Sequence, residues 1–274
     1  MPRSPPKSRP RNRPRDRRTG RPKGLNSMTV ILVTGGGSLG GLVAERLRAD
    51  GYEVRVLGRR PPGAVDLREG GRALDAAVAG ADTVVHCASP PRDGGEEAAA
   101  HLVAAARRAG AGHLVLVSAV GAGRLPLGHY ETARAVERLV EESGLGWSVL
   151  RATRTHDLLA AAFRRMARPP VMLLPAGVRE QPVEAAEVAG RLAELAAGAP
   201  AGRVPDMGGP EVRGLESLAR AYLGATARRR PVLNVPLAGR AYQGFREGEH
   251  LAPRRAVGKR TFEEYLAARR GRRE

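Results

Sequence analysis

The sequence predicts an α/β protein built on a doubly wound parallel sheet. Short apolar strands such as Val30–Val33 and Asp82–His86 alternate with helical stretches such as Ala98–Arg108. A glycine-rich turn joins the first strand to the first helix. Since the helical stretches are long enough to connect parallel strands, we expect right-handed crossovers that place helices on both faces of one sheet.

The elements follow one another in a regular order up to about residue 152. The expected strands are Val30–Val33, Glu53–Leu57, Asp82–His86, His113–Ser118 and Trp147–Arg151, and the expected helices are a first one carrying Leu42, Val43 and Leu47, then Ala73–Val78, Ala98–Arg108 and Tyr130–Glu142. Beyond that point we expect helices over Asp157–Met166, Glu184–Ala197, Leu215–Ala225 and Phe262–Arg269, with short strands near Val171–Leu174 and Val232–Val235. These later elements predict a small substrate-side lobe on one continuous domain, 28–274.

Composition excludes several classes of protein. A single cysteine excludes a disulfide framework and a cysteine-based zinc site, and no metal site is expected. The longest uncharged apolar stretch, Ala98–Ala106, is far shorter than the ~20 residues that span a bilayer. Because no apolar segment follows the basic N-terminus, no secretory signal is expected, and we predict a cytoplasmic protein.

The formal charge of +18 is concentrated at the N-terminus. Residues 1–27 are rich in arginine and proline and almost devoid of apolar side chains, so we expect them to be disordered. No aromatic residue is interleaved to stack on bases, and we therefore do not expect nucleic-acid binding. Met28 directly precedes the first strand, so translation starting there is an alternative to Met1.

The turn after the first strand carries the strongest motif. Gly35, Gly37 and Gly40 have the G-x-G-x-x-G spacing, with a strand before them and a helix after them. The first glycine allows the tight turn, the second lets the backbone approach a pyrophosphate, and the third lets the helix pack closely on the strand. The helix N-terminus then presents N–H groups to the phosphates, which predicts a dinucleotide site.

The end of the second strand indicates which dinucleotide is preferred. An NAD site has Asp or Glu about 20 residues after the glycines, to hold the ribose 2′-hydroxyl. Here Arg59 and Arg60 stand at that strand end, and no carboxylate does. Arginine suits a 2′-phosphate through its charge and its planar fork of donors. We therefore expect NADP(H) in preference to NAD(H).

Several segments together resemble a known superfamily. They are Thr34–Gly40, Leu57–Arg59, Val65–Leu67, Val84–Ser89, Leu116–Gly121, Val149–Thr153 and Gln181–Val183. They resemble the atypical short-chain dehydrogenases/reductases, and most closely the NmrA-like NAD(P)-binding proteins. The resemblance runs from about Thr29 to about Leu266. The glycine loop departs from the TGxxGxxG pattern of many members by being one residue shorter.

The resemblance implies a Rossmann fold and a set of cofactor contacts. Ser38 and Leu39 would meet the phosphates, Asp66 and Leu67 would flank the adenine, and Cys87, Ala88 and Ser89 would lie under the cofactor. Ser118 would lie near the nicotinamide. Thr34 belongs to the same loop. The implied activity is hydride transfer from NADPH to a small quinone-like or carbonyl acceptor, and the alternative is a non-catalytic NAD(P)-binding redox sensor.

Reductases of this superfamily carry a Tyr-x-x-x-Lys pair, and two registers are open for it here. Tyr130 with Arg134 keeps the spacing, but Glu137, Arg138 and Glu141 continue that face, which predicts that it faces water. His129 with Ala133 continues to Val136 and Val140, an apolar face that should pack on the sheet. This register puts His129 at the tyrosine position and leaves the lysine position to Ala133. His129 and Ser118 are thus candidate catalytic residues, with Tyr130 as the alternative.

The substrate side is expected at the carboxyl edge of the sheet. Arg151, Thr153 and His156 come at or just after the end of a strand, where open α/β sheets bind their ligands. Asp157 is expected to be a helix N-terminal acid that is favoured by the helix dipole. The acceptor and the oligomeric state are not predicted.

Overall fold

A computed structural model describes residues 29–35, 37–58, 64–87 and 94–270. Its centre is a six-stranded parallel sheet of β1 (Val30–Thr34), β2 (Glu53–Leu57), β3 (Thr83–His86), β4 (His113–Ala119), β5 (Gly146–Ala152) and β8 (Gly202–Arg203). The spatial order is β2-β1-β3-β4-β5-β8. The order reverses between β1 and β3, which is where open α/β sheets form a ligand crevice.

Helices cover both faces of this sheet. One face packs on α1 (Ser38–Ala49) and α6 (Ala185–Ala197), whose apolar stripes include Val43, Leu47 and Leu192. The other face packs on α2 (Gly71–Val78), α3 (Gly95–Ala109) and α4 (Gly128–Glu141). The central strands β1, β3, β4 and β5 are mostly apolar and buried, as expected for a sheet covered on both sides, whereas the edge strands β2 and β8 carry exposed residues. This arrangement confirms the predicted doubly wound Rossmann-like class.

A third apolar cluster lies in the C-terminal part of the chain. It gathers residues from α5 (His156–Met166), β6 (Met172–Pro175), α7 (Leu215–Ala225) and α9 (Phe262–Arg270). β6 pairs in parallel with β10 (Val232–Val235), and β7 (Arg179–Glu180) pairs antiparallel with β9 (Arg213–Gly214). Phe163 and Phe262, both fully buried, lie in this cluster.

Most expected elements are present within one or two residues of their predicted bounds. The sequence did not predict the two-residue strands β7, β8 and β9, or helix α8 (Arg240–Glu247). Strands this short carry no alternating pattern, and their pairing is fixed by residues far away in the chain. The N-terminal segment 1–27 lies outside the described residues. In the part of the chain that the structure describes, every helix is too short or too polar to span a membrane.

Candidate functional site

The glycine loop and the start of α1 form the floor of the crevice. Gly35 has a φ of +93°, a backbone conformation that strongly favours glycine. A Cβ at Gly40 would lie 1.9 Å from the carbonyl oxygen of Gly35, so only glycine allows the helix to approach the loop this closely. At Gly37, by contrast, no described atom lies within 4 Å of an added Cβ. The helix therefore packs directly against the loop at Gly40, whereas free space remains next to the backbone of Gly37.

The N-terminus of α1 carries a positive electrostatic end. Its first turn contains no acidic residue, and no side chain caps it at Gly37. The first backbone N–H groups of a helix have no acceptor within the helix, and the helix dipole adds to their positive potential. The loop and this helix end therefore favour an anionic group, such as a phosphate.

Two buried side chains support the loop from below. Thr34 Oγ1 and His86 Nδ1 are 2.6 Å apart, which joins the ends of β1 and β3. Burial lowers the pKa of His86 to about 4, so this imidazole is neutral at neutral pH. Burial also raises the pKa of the Cys87 thiol to about 12. The Thr34 side chain is therefore bonded to His86 within the protein, and its carbonyl accepts a hydrogen bond from the backbone of Cys87.

The predicted adenine side is described in part. Asp66 forms an ion pair with Arg68 at 2.5 Å, and the carbonyl of Leu67 is 3.0 Å from His101 Nδ1. Both residues follow Gly58, whose carbonyl accepts a hydrogen bond from the backbone of Val65. Arg59, Arg60, Ala88 and Ser89 lie outside the described residues.

The first turn of α1 is joined to the C-terminal part of the chain. Ser38 Oγ donates a 2.7 Å hydrogen bond to Asp157 Oδ2, and Thr155 Oγ1 donates a 2.5 Å bond to Asp157 Oδ1. Asp157 lies in the first turn of α5, as expected for an acid favoured by the helix dipole. Its carboxylate is therefore a negative charge placed beside the predicted phosphate loop.

The predicted orientation of α4 is partly wrong. Ala133, Val136 and Val140 are buried against the sheet as expected. His129, however, is exposed, whereas Tyr130 is 7% exposed and Glu137 is fully buried. The charged stripe was expected to face water, but Glu137 faces a buried arginine on the neighbouring strand.

That arginine is Arg151, which was predicted to line the substrate crevice. It lies within β5, is buried, and donates hydrogen bonds of 2.6 and 2.5 Å to the two Glu137 oxygens. The expectation that Arg151 lines the substrate crevice is wrong, because its guanidinium is bound to the Glu137 carboxylate of α4. Burial disfavours the charged Glu137, but the hydrogen bonds and positive charge of Arg151, with a smaller effect of the nearby Ser118 hydroxyl, outweigh it and lower the pKa of this carboxyl.

Ser118 lies in β4, directly opposite Arg151 in the sheet register. Its hydroxyl is buried and has no hydrogen-bond partner of normal geometry among the described residues, although it is close enough to Glu137 to help lower its pKa. Ser118 is therefore oriented toward the buried ion pair of Glu137 and Arg151.

Two further predicted substrate residues are also buried. Thr153 donates a 2.6 Å hydrogen bond to the carbonyl of Gln181. His156 is 0% exposed, lies 3.0 Å from the carbonyl of Arg260, and packs against Phe262 and Tyr265. The expectation that His156 lines the crevice is wrong, because its ring fills the core of the C-terminal lobe.

A polar cluster that the sequence did not predict lies beside Tyr130. Arg154 Nη1 is 3.0 Å from Glu180 Oε1, and His250 Nε2 is 3.8 Å from the other Glu180 oxygen. Burial raises the pKa of Tyr130 and lowers that of His129, and the positive charge of Arg154 acts to lower both. The only local signal was the position of Arg154 just past a strand end, since Glu180 and His250 come from distant parts of the chain.

The described residues hold no group of three or more His, Cys, Asp or Glu side chains that could bind a metal ion.

Residues 35–189, more than half of the chain, match the NAD(P)H-binding domain family. The chain belongs to this family. The match begins at the first glycine of the loop and ends in α6, so it spans the central sheet and its crevice. It confirms the predicted NAD(P)-binding family.

Solved structures of an oxidoreductase and of sugar-nucleotide epimerases share this fold. An Escherichia coli NADPH-dependent quinone oxidoreductase, QOR2, in complex with NADPH is 18% identical with a TM-score of 0.73, covering 87% of this chain and 99% of its own. A Thermus thermophilus UDP-glucose 4-epimerase in complex with NAD is 21% identical with a TM-score of 0.65, covering 86% and 96%. A Staphylococcus aureus nucleoside-diphosphate-sugar epimerase is 17% identical with a TM-score of 0.64, covering 86% and 99%.

None of the curated proteins matches this chain significantly.

The crevice of this NAD(P)H-binding protein fits the group that the family implies. The close approach of Gly40 to Gly35, the open space at Gly37 and the uncapped N-terminus of α1 are what a dinucleotide pyrophosphate needs. The backbone from Gly37 to Gly40 would hold the pyrophosphate.

Proposed function

We propose that this protein is an NADPH-dependent oxidoreductase of the atypical short-chain type, acting in the cytoplasm on a small quinone-like or carbonyl acceptor. The observation that carries the proposal is the loop geometry: Gly40 packs against the Gly35 carbonyl, and the uncapped start of α1 faces the crevice. Residues 28–274 act as one domain in this proposal. The partner is a small molecule, and residues 1–27 take no part in nucleic-acid binding.

The preference for NADPH over NADH rests on the end of β2. Arg59 and Arg60 follow this strand, and no carboxylate stands there to bind a ribose 2′-hydroxyl. Two guanidinium groups attract a 2′-phosphate. The structural neighbour QOR2 is a complex with NADPH, which supports the same choice, whereas the epimerase neighbour is a complex with NAD.

Bound NADPH supplies a hydride, and the chain must handle the accompanying proton. The lysine position of the usual catalytic pair is taken by Ala133, which is buried and cannot carry charge. His129, Ser118 and Tyr130 remain the candidate proton-handling residues. An acceptor that needs little protonation, such as a quinone, therefore suits this site better than a simple ketone.

A second function, a non-catalytic NAD(P) sensor, is favoured by the absence of the usual catalytic lysine. Ala133 replaces the lysine, and Ser118 is oriented toward Glu137 within the protein interior. A site that binds the dinucleotide without turnover would need neither group. The sensor and the enzyme share the glycine loop, so only turnover separates them.

The test is acceptor-dependent oxidation of NADPH, followed by nicotinamide absorbance, with a panel of quinones and carbonyl compounds. We expect quinone-dependent oxidation by the wild-type protein. A Gly37→Asp variant should lose it because its side chain fills the space that the pyrophosphate needs and its carboxylate repels phosphates, and the isosteric Gly37→Asn variant should keep more of it than Gly37→Asp because it adds no charge. Tight NADPH binding without turnover on any acceptor would contradict the enzyme and support the sensor.

A further inference from the structure

The C-terminal lobe holds a cavity of about 420 Å³ between α5, α7 and α9. On α5 it is lined by Asp157, Ala160, Ala161 and Arg164, which their spacing of three and four residues places on one helix face. None of its described lining residues belongs to the glycine loop or to a strand of the central sheet. A cavity of this size can hold a small organic molecule, and its walls are separate from those of the dinucleotide crevice.

Much of the cavity wall is apolar. Ala160 of α5, Tyr222 of α7 and Leu266 of α9 are all buried and contribute to this wall. Contact with such a wall removes the hydrocarbon part of a ligand from water, which favours binding. The cavity can therefore take a molecule with an apolar body.

The C-terminal ends of the three helices lie together. Arg230, which follows α7, donates a 3.4 Å hydrogen bond to the carbonyl of Ala167, which follows α5. Arg270, the last residue of α9, donates a 2.6 Å hydrogen bond to the carbonyl of Ala225, the last residue of α7. The starts of α5 and α9 also lie together, since the rings of their first residues have centroids 5.8 Å apart. The C-terminal ends of all three helices therefore meet at one end of the cavity.

Four arginines line the cavity at this end. They are Arg164, Arg228, Arg269 and Arg270. Asp157 is the only acid among the described lining residues, and it lies two turns before Arg164, about 10 Å away along the axis of α5. Each helix C-terminus contributes about half a negative elementary charge, so the three helix ends offset fewer than two of the four arginines. This end of the cavity, the arginine end, therefore keeps a net positive charge.

The guanidinium groups at the arginine end are available to a ligand to different degrees. Arg164 and Arg228 are exposed, and neither side chain forms a hydrogen bond or ion pair with another described residue. Arg269 Nη1 donates a 2.6 Å hydrogen bond to Tyr265 Oη, a neutral hydroxyl that holds the guanidinium and leaves its charge uncompensated. Arg270 is bound to the carbonyls at the end of α7. Arg164, Arg228 and Arg269 can thus bind an anionic group, as guanidinium groups bind carboxylates and phosphates.

We propose that this cavity is a second ligand site, which binds a small organic acid with an apolar body and one carboxylate or phosphate group. The acidic group binds at the arginine end, and the apolar body lies along Ala160 and Ala161 of α5. The other end of the ligand carries no negative charge, because the Asp157 carboxylate lies there. The site goes beyond the proposed oxidoreductase function, and its occupation requires neither bound dinucleotide nor turnover.

The first test is a calorimetric titration of the full chain with 2-naphthoate and with its uncharged analogue 2-naphthamide. The two probes share an aromatic body and differ in charge. We expect 2-naphthoate to bind with a Kd of about 0.1 mM and 2-naphthamide to bind about tenfold more weakly. A third probe, 2-naphthyl phosphate, shows which of the two acidic groups the site prefers. Equal affinities for the two acids and the amide, or no binding of either acid, would overturn the proposal.

Neighbouring arginines provide matched controls for the general positive charge of the chain. Arg165 and Arg229 are exposed and adjacent in sequence to Arg164 and Arg228, but they do not line the cavity. Arg164→Gln and Arg228→Gln should each weaken 2-naphthoate binding about fivefold. Arg165→Gln and Arg229→Gln should each weaken it by less than about twofold. Equal losses within each pair would overturn the site.

Filling the cavity tests its location without a change of charge. Ala161→Phe places a ring in the space that the apolar body of 2-naphthoate needs, so it should abolish binding. Ala161→Leu replaces it if thermal unfolding shows that the phenylalanine variant does not fold. Wild-type affinity for 2-naphthoate in the folded variant would overturn the assignment of the probe to this cavity.

Titration in the presence of saturating NADPH distinguishes this site from the dinucleotide crevice. Because the two sites share no described wall, the Kd of 2-naphthoate should change by less than about twofold. Competition between 2-naphthoate and NADPH would place the probe in the crevice and overturn the second site.

Discussion

The hydroxyl of Ser38 donates a 2.7 Å hydrogen bond to Oδ2 of Asp157, and this bond joins the first turn of α1 to the first turn of α5. A carboxylate therefore lies beside the helix end that is expected to bind phosphates. Because like charges repel across a partly exposed crevice, Asp157 should weaken the binding of a dinucleotide.

We expect Asp157→Asn to tighten NADPH binding about threefold, since asparagine removes the charge and keeps an acceptor for Ser38. Calorimetric titration at low and at high salt measures this, and the gain should shrink as salt screens the charge. Asp50→Asn, at the far end of α1, is the control and should leave the affinity unchanged. Weaker binding by Asp157→Asn would show that the carboxylate helps to form the site.

The buried pair of Glu137 and Arg151 predicts a large loss of stability when one partner is removed. Glu137→Gln should lower the free energy of unfolding by about 3–5 kcal/mol, because it leaves the Arg151 guanidinium buried without its counter-charge. Denaturant unfolding measures the change. Glu141→Gln, on the partly exposed side of Arg134, should cost less than about 1 kcal/mol. Equal losses would show that Arg151 finds another partner.

The same pair sets a dependence on acid. The pKa of Glu137 is lowered in the folded protein from its ordinary value of 4.5. Its stabilisation is therefore complete above about pH 4.5 and is lost as the pH falls through the lower folded-state value.

Two adjacent glycines of α1 should respond to the same substitution with opposite signs. Gly40→Ala places a Cβ 1.9 Å from the Gly35 carbonyl oxygen, so it should cost about 1–3 kcal/mol and displace the loop. Gly41→Ala meets no described atom within 4 Å and should stabilise the helix by about 0.5–1 kcal/mol. Thermal unfolding and NADPH titration of both variants check this. Comparable NADPH affinities would show that the close approach is not needed.

His86 predicts a second pH dependence in a higher range. Its pKa is lowered from 6.5 to about 4, so the neutral imidazole is stabilised by folding. Its contribution is complete above about pH 6.5 and is lost as the pH falls toward 4, with a total of about 3 kcal/mol. The difference in stability between wild type and His86→Asn should be constant above about pH 6.5 and should fall by about 3 kcal/mol as the pH drops from 6.5 to 4. Parallel curves would show that His86 titrates normally.

The sequence was sufficient to predict the central sheet, because the signals for its strands lie in residues next to one another along the chain. Each strand from β1 to β5 carries its own run of apolar or β-branched residues, and the glycine loop combines a strand, a turn and a helix within a few residues. Such signals depend on neighbours along the chain, so they survive without knowledge of the fold. The loop geometry at Gly35 and Gly40 followed from the same local pattern.

The chemistry of α4 was not predictable in this way. Glu137 belongs to a charged stripe that is typical of a solvated helix face, and only Arg151 on the next strand makes its burial possible. Arg154 meets Glu180 and His250 through contacts across long stretches of chain. Contacts of this kind are set by the tertiary arrangement and leave no periodic signal in the sequence.

Calorimetric titration of NADPH into wild type, Gly37→Asn and Gly37→Asp tests the central claim most directly. The two variants differ only in charge at a position where the structure leaves open space. If the loop and the N-terminus of α1 bind a dinucleotide pyrophosphate, Gly37→Asn should bind NADPH more weakly than wild type because its side chain enters the space that the pyrophosphate needs, and Gly37→Asp should bind at least about tenfold more weakly than Gly37→Asn because it adds a negative charge. Equal affinities for the two variants, or no binding of NADPH by wild type, would contradict the account.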